Sequence, residues 1–344
     1  MTPYRIENGR TPLLETAPRF VPAFAEAVRR HVAQTVVGQE TVVERILIAL
    51  LTGGHLLLEG VPGIAKTLLV QAVASAVDLR FGRVQFTIDL LPSDIVGSEV
   101  LDPRTQTFHV HEGPLFTNLL LADEINRASP KVQSALLEAM QERRVSIGSE
   151  GARSLPAPFL VIATQNPIEQ SGTFELPEAQ LDRFMLRHRV GYPTAEAEHE
   201  VVRRSLALGL RKQGAGAVPM TAFDAIERSA PQSPAQLTEA MAEVQRVHVS
   251  DVFLEHCLEL VAATRSAPEI ELGCSPRAGI ALAQAARARA WLYGRDYVVP
   301  EDLFRLAEDV CLHRLRLSYE ALAKGETPEG VLARMVDAMT RGSR

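Results

Sequence analysis

The chain has 344 residues, 46% hydrophobic and 23% charged, with 36 Lys and Arg against 42 Asp and Glu for a net charge of -6. That is ordinary globular composition with room for two domains, and an acidic balance without a long basic run argues against nucleic acid as the main partner. No apolar stretch reaches the roughly 18 residues of a membrane span and the N-terminus lacks the order of a signal peptide, so a cytoplasmic location is expected.

Residues 1–22 are polar and punctuated by Pro3, Pro12 and Pro18, which predicts a weakly ordered leader. A core is expected over 23–193, its first helix starting at Ala23. Within it, Leu56 to Leu58, Val84 to Ile88, Leu119 to Ala122, Phe159 to Ala163 and Met185 to Val190 read as strands between helical patterns. Such alternation predicts a mostly parallel sheet covered on both faces, with the active edge at the C-terminal strand ends. Two stretches, Val100 to Val110 and Val145 to Leu155, resemble β-hairpins. A connecting helix and a Gly- and Pro-containing linker fill 194–234, and from 235 to 344 helical patterns predict an all-α lid. Cys257, Cys274 and Cys311 are odd in number and form no C-x-x-C pair, so neither a disulfide framework nor a zinc site is suggested.

The densest signal is Gly60-Val61-Pro62-Gly63-Ile64-Ala65-Lys66-Thr67, between a predicted strand and a helix with the apolar stripe Leu69, Ala72, Val73 and Ala76. Glycines there let backbone N–H groups converge on an anion at a helix N-terminus; Lys66 reaches the terminal phosphates and Thr67 supplies a Mg²⁺ ligand. Ala65 stands where the usual pattern has glycine, and is read as entering the helix, where Ala is the better former. Leu68 closes this candidate nucleotide segment.

The strand at Leu119 delivers Asp123-Glu124 to the same edge, Asp123 to hold Mg²⁺ and Glu124 to orient the attacking water. Ser129-Pro130 starts the next helix as N-cap and first-turn proline. The following strand ends at Asn166, whose amide can touch γ-phosphate and water, although before Pro167 it is equally a turn-forming residue. His109 and His111 lie two apart in the first hairpin with no third metal ligand evident.

With these strings in place, and with Asp89 to Ile95, Leu121 to Ala128 and Ala163 to Pro167, the chain resembles the AAA+ ATPases, and within them the MoxR family, over roughly residues 20 to 320. The family commonly has Ala before the Lys, so Ala65 counts as a match. The resemblance implies an α/β P-loop core with an α-helical lid, binding ATP and Mg²⁺ between core and lid in a ring, a hexamer. It assigns Arg183, in Leu176 to Phe184, as an arginine finger for the neighbouring subunit, and Arg277, in Gly273 to Ala278, as a second sensor touching the phosphates from the lid. Val37-Gly38-Gln39 would line the adenine pocket, and the two hairpins would face a central pore. Hydrolysis would move the lid against the core to remodel or activate a client protein, with a von Willebrand factor A domain protein as partner. A chelatase-type or other AAA+ motor subunit, or a nucleotide-gated scaffold with little turnover, is the alternative.

Overall fold

A computed structural model describes residues 21–61, 63–148, 151–166, 172–214, 216–226 and 230–342. The expected leader up to position 20 lies outside these residues, as do Pro62 and Pro167. In chain order the core runs α1 (Ala23–Ala33), α2 (Glu40–Thr52), β1 (Leu56–Glu59), α3 (Lys66–Ala76), β2 (Phe81–Gln85), α4 (Pro92–Val96), β3 (Gly97–Asp102), β4 (Thr107–Glu112), β5 (Leu119–Asp123), α5 (Pro130–Glu142), β6 (Arg144–Ser146), β7 (Ala152–Ser154), β8 (Leu160–Gln165), α6 (Glu178–Leu181) and β9 (Leu186–Arg189). There follow α7 (Ala195–Ala207), β10 (Leu210–Gln213) and β11 (Gly216–Pro219). The remainder is α8 (Pro234–Arg246), α9 (Asp251–Ser266), β12 (Ile270–Leu272), α10 (Pro276–Leu292), α11 (Pro300–Cys311), β13 (Arg316–Leu317), α12 (Tyr319–Ala323) and α13 (Pro328–Gly342).

Five strands form one sheet in the order β2-β5-β8-β1-β9, every neighbour parallel. Because side chains alternate across a strand, the near-continuous apolar runs serve two layers at once. Leu57, Leu120 and Val161 point into a cluster with Val132, Leu136 and Met140 of α5. Leu58, Leu119, Leu121 and Ile162 point into the opposite cluster, shared with α1, α2 and α3 and continuous with lid residues such as Leu282 and Leu306. The expected strand at Val84 to Ile88 is displaced: β2 starts at Phe81 and pairs Phe81 with Leu119 through Gln85 with Asp123, while Ile88 is exposed.

Both expected hairpins form, β3 with β4 and β6 with β7. They touch, Arg153 pairing with Glu112 at 3.2 Å. The stretch expected as a soft linker carries an exposed antiparallel hairpin, β10 with β11. The lid is helical apart from the short pair β12 and β13, and its three cysteines are free and buried. Among the described residues no helix is long and apolar enough to cross a membrane.

Candidate nucleotide site

The phosphate loop leaves β1 at Gly60, where a Cβ would come within 2.8 Å of the Val190 carbonyl oxygen, so the strand end passes its neighbour only as glycine. Ala65 is the N-cap of α3 with φ 60, in the left-handed region rather than inside the helix. The helix-propensity reason for alanine is therefore wrong; glycine would be the less strained residue here. Ile64 and Leu68 are buried and Val61 packs against the core, so what these residues can offer a ligand is their backbone. Lys66, the first residue of α3, donates to the Gly60 carbonyl at 2.6 Å. Burial lowers the Lys66 pKa, against the opposing pull of Asp123, Glu124 and Glu59, three carboxylates close enough to favour its charged form. Thr67 follows in the first turn. Gly38, with φ 73, lies against the start of α7, where an added Cβ would meet Ala197 at 2.7 Å, and this places Val37 to Gln39 beside the connector after β9.

The acidic pair closes the same edge. Thr164 holds both members, its hydroxyl donating to Asp123 Oδ1 at 2.7 Å and accepting from the Glu124 backbone N–H at 2.8 Å. Arg83 donates to Asp123 Oδ2 at 2.7 Å. Glu124 adopts φ 56, which aims its side chain off the strand line; Gln85 donates to Oε2 at 2.6 Å and Arg127 pairs with it at 3.2 Å. Asn166 is buried one residue beyond β8, next to Gln165, whose carbonyl accepts the Gly60 N–H. Loop, acids and amide thus sit at the C-terminal ends of β1, β5 and β8, which are adjacent strands. Ser129 precedes α5, but its hydroxyl makes no cap hydrogen bond, leaving the first-turn Pro130 as the start signal.

Arg183 and Arg277 stand elsewhere. Just after Arg183, Met185 N–H donates to the His55 carbonyl, ahead of β1, which puts this segment at the N-terminal edge of the sheet. The four residues of β1 separate the two edges by roughly 13 Å of strand. Arg183 donates to the Ala179 carbonyl at 2.8 Å and to Gln141 at 3.2 Å. Arg277, in the first turn of α10, lies 3.7 Å from Asp182, the residue before Arg183. The two arginines line one cleft of about 360 Å³ with Arg143 and Arg314. The structure therefore does not bring Arg277 over its own phosphate loop. It brings it to the cleft of Arg183.

Several residues of these sites escaped the sequence reading. Arg83 and Gln85 alternate on β2 and so project together beside the acidic pair, a signal hidden by the misplaced strand. Arg314 was hidden by distance along the chain: it reaches Asp182 at 2.7 Å and the Phe184 carbonyl at 2.8 Å. His109 hydrogen-bonds Thr107 on the exposed first hairpin, and no group of three potential metal ligands comes together among the described residues.

The family models agree with this layout. Residues 55–186 match the ATPase family associated with various cellular activities, and residues 262–335 match the AAA lid domain. The chain is 43% identical to Chaperone MoxR1 of Mycobacterium tuberculosis, over 90% of this chain and 80% of that protein. It is 41% identical to the uncharacterized protein YeaC of Bacillus subtilis, over 92% and 94%.

The chain belongs to the MoxR family of AAA+ ATPases.

A crystal structure of a candidate ATPase from Cytophaga hutchinsonii superimposes on this MoxR protein with a TM-score of 0.81 at 41% identity, covering 91% of this chain and 93% of that one. The residues present fit the nucleotide that membership implies. The N-terminus of α3, the half-buried Lys66 ammonium and the loop N–H groups suit a polyphosphate, and Thr67 with Asp123 offers the hard oxygen donors that Mg²⁺ prefers.

Proposed function

We propose that this MoxR protein is a ring-forming, cytoplasmic ATPase whose active site is completed by a neighbouring copy. The observation that carries the reading is the separation of its parts: Lys66, Thr67, Asp123, Glu124 and Asn166 occupy one edge of the sheet, Arg183 and Arg277 the other. A heterologous, head-to-tail contact joins two such edges and closes into a ring. A hexamer is the ring we propose.

In each site Lys66 and the loop N–H groups hold the phosphates, with Val37 to Gln39 beside the base. Thr67 and Asp123 would hold Mg²⁺, which when bound neutralises charge on the phosphate oxygens. Glu124, kept in place by Gln85 and Arg127, orients the attacking water and accepts its proton, and Asn166 steadies that water from β8. Arg183 and Arg277 of the adjoining copy meet the charge that grows on the transferred group, a task suited to a planar, always-charged guanidinium. The position of Arg277 beside Asp182 and Arg183 supports a role at the neighbour's nucleotide, where the family resemblance implies one at the nucleotide of its own lid.

The output we propose is chaperone-like remodelling of a client, with a von Willebrand factor A domain protein as partner. Family membership supports this, as do the touching hairpins, whose Val100, Leu101 and Phe108 are exposed apolar residues available to a client.

Mixing tests the split site. Arg183→Ala subunits keep Lys66 and Glu124, and Glu124→Gln subunits keep Arg183. Each alone should lose about 10³-fold or more in turnover. Mixed rings should regain ATPase; absence of recovery at every ratio, with subunit exchange demonstrated, would place Arg183 outside the mechanism.

A further inference from the structure

Arg143 is unused by the site described so far, yet its geometry is unusual. It ends α5 with φ 53, a left-handed position where glycine or asparagine is the ordinary choice. A long side chain held in such a conformation points to a function for that side chain. The guanidinium crosses to the end of α2, donates from Nη2 to the Gly53 carbonyl at 3.1 Å, and lines the cleft of Arg183 and Arg277.

Charge in that cleft is unbalanced. Among the described lining residues Asp182 is the only acid, against Arg143, Arg183, Arg277 and Arg314. Asp182 already accepts from Arg314 at 2.7 Å and from the Ser275 hydroxyl at 2.9 Å, with Arg277 at 3.7 Å. Among the described residues, Arg143 and Arg183 are hydrogen-bonded only to neutral acceptors. An excess of guanidinium forks in a concave site matches a polyphosphate.

We infer that Arg143 is a third cation of the face presented to the neighbouring copy, contacting the phosphates of the ATP held in that copy's loop. This rests on the split site proposed above. The bonds made and broken stay those of hydrolysis; Arg143 supplies only charge and position. Its backbone also links the contact to the hairpins. The Arg143 carbonyl accepts the Leu155 N–H at 2.9 Å, Arg144 begins β6, and Arg153 of β7 pairs with Glu112 of β4.

Arg143→Gly separates this role from a structural one, because glycine suits φ 53 better than arginine does. The melting temperature should hold or rise, ATP affinity should stay close to wild type, and turnover should fall about 10²-fold, as for the loss of one transition-state donor. Activity should return on mixing with Glu124→Gln subunits and stay absent on mixing with Arg183→Ala, since those two defects share a face. Wild-type turnover, or rescue by Arg183→Ala, overturns the inference; wild-type turnover with a lowered melting temperature makes Arg143 a cap on α2. If the glycine variant does not fold, Arg143→Gln takes its place in the same measurements, and the same outcomes support or overturn the role. Recovery in the Arg183→Ala and Glu124→Gln mixture is scored separately, so failure of the split site is distinguishable from failure of Arg143.

Discussion

At the residue scale the phosphate edge makes two roles separable. Lys66 carries the only ammonium between Gly60 and Leu68, whereas the role proposed for Glu124 is to orient the attacking water. Lys66→Ala should weaken ATP binding, and Glu124→Gln should leave binding near wild type while abolishing turnover. Nucleotide titration decides it: equal loss of affinity in both would make Glu124 structural. His55 offers a test of stability instead. It is fully buried, accepts the Val161 N–H at Nδ1, donates from Nε2 to the Met140 carbonyl, and so ties β1 to β8 and α5. Burial pushes its pKa down to about 4, against 6.5 when free. Its folded pKa lies below its unfolded one, so the neutral ring's contribution is complete above pH 6.5 and is lost as pH falls toward 4. The loss is on the order of 3 kcal/mol. His313, also pushed well below its usual value by burial, has the same sign. Urea midpoints should therefore fall between pH 6.5 and 4, and fall less steeply in His55→Gln; parallel slopes would mean the ring does not titrate with unfolding.

At the element scale, what was legible in the sequence is what local pattern specifies. Leu119 to Ala122 and Phe159 to Ala163 are apolar without interruption because β5 and β8 are buried on both faces, and the strands appear where those runs are. β2 is an edge strand, half polar, and its register follows pairing with β5. The alternation through Val84, Phe86 and Ile88 pointed three residues too far along, where Phe86 remains buried but Ile88 does not. The loop lysine and the acidic pair were legible because each motif is contiguous. Their supports, Thr164 to Asp123 and Gln85 to Glu124, join positions about forty apart, and the cleft around Asp182 gathers Ser275, Arg277 and Arg314 from the lid. Such distances are closed by topology, and only the folded chain displays them. Ala65 and Glu124 teach a related point: left-handed non-glycine residues cannot be told from helix formers by composition, and both sit in the candidate nucleotide site.

At the scale of the whole molecule, the way α2 is buried determines what can move. Nine of its thirteen residues are buried, all round the helix, because α3 and the sheet cover one side while α8 and α10 cover another. Lid and core also share charges: Asp309 of α11 accepts from Arg45 of α2 at 2.5 Å and pairs with His188 of β9 at 2.8 Å. Burial alone would raise the Asp309 pKa, but Arg45 and His188 outweigh it and hold the carboxyl below its usual range. Swinging the lid off its own core would strand those charges. It would also expose those leucines and isoleucines of α2 that face α8 and α10, at roughly 2 kcal/mol each, a large fraction of a whole domain's stability. These contacts support a proposal in which, on hydrolysis, each subunit of the proposed ring turns as a unit and the contact between copies changes, against the expected movement of the lid on its own core. Cooperativity tests this. Calorimetry of the Arg183→Ala protein without nucleotide should show one unfolding transition, with calorimetric and van't Hoff enthalpies in agreement. A separate lower-temperature transition for the lid, followed by that of an intact core, would restore the hinge and with it a nucleotide-driven closure inside each subunit.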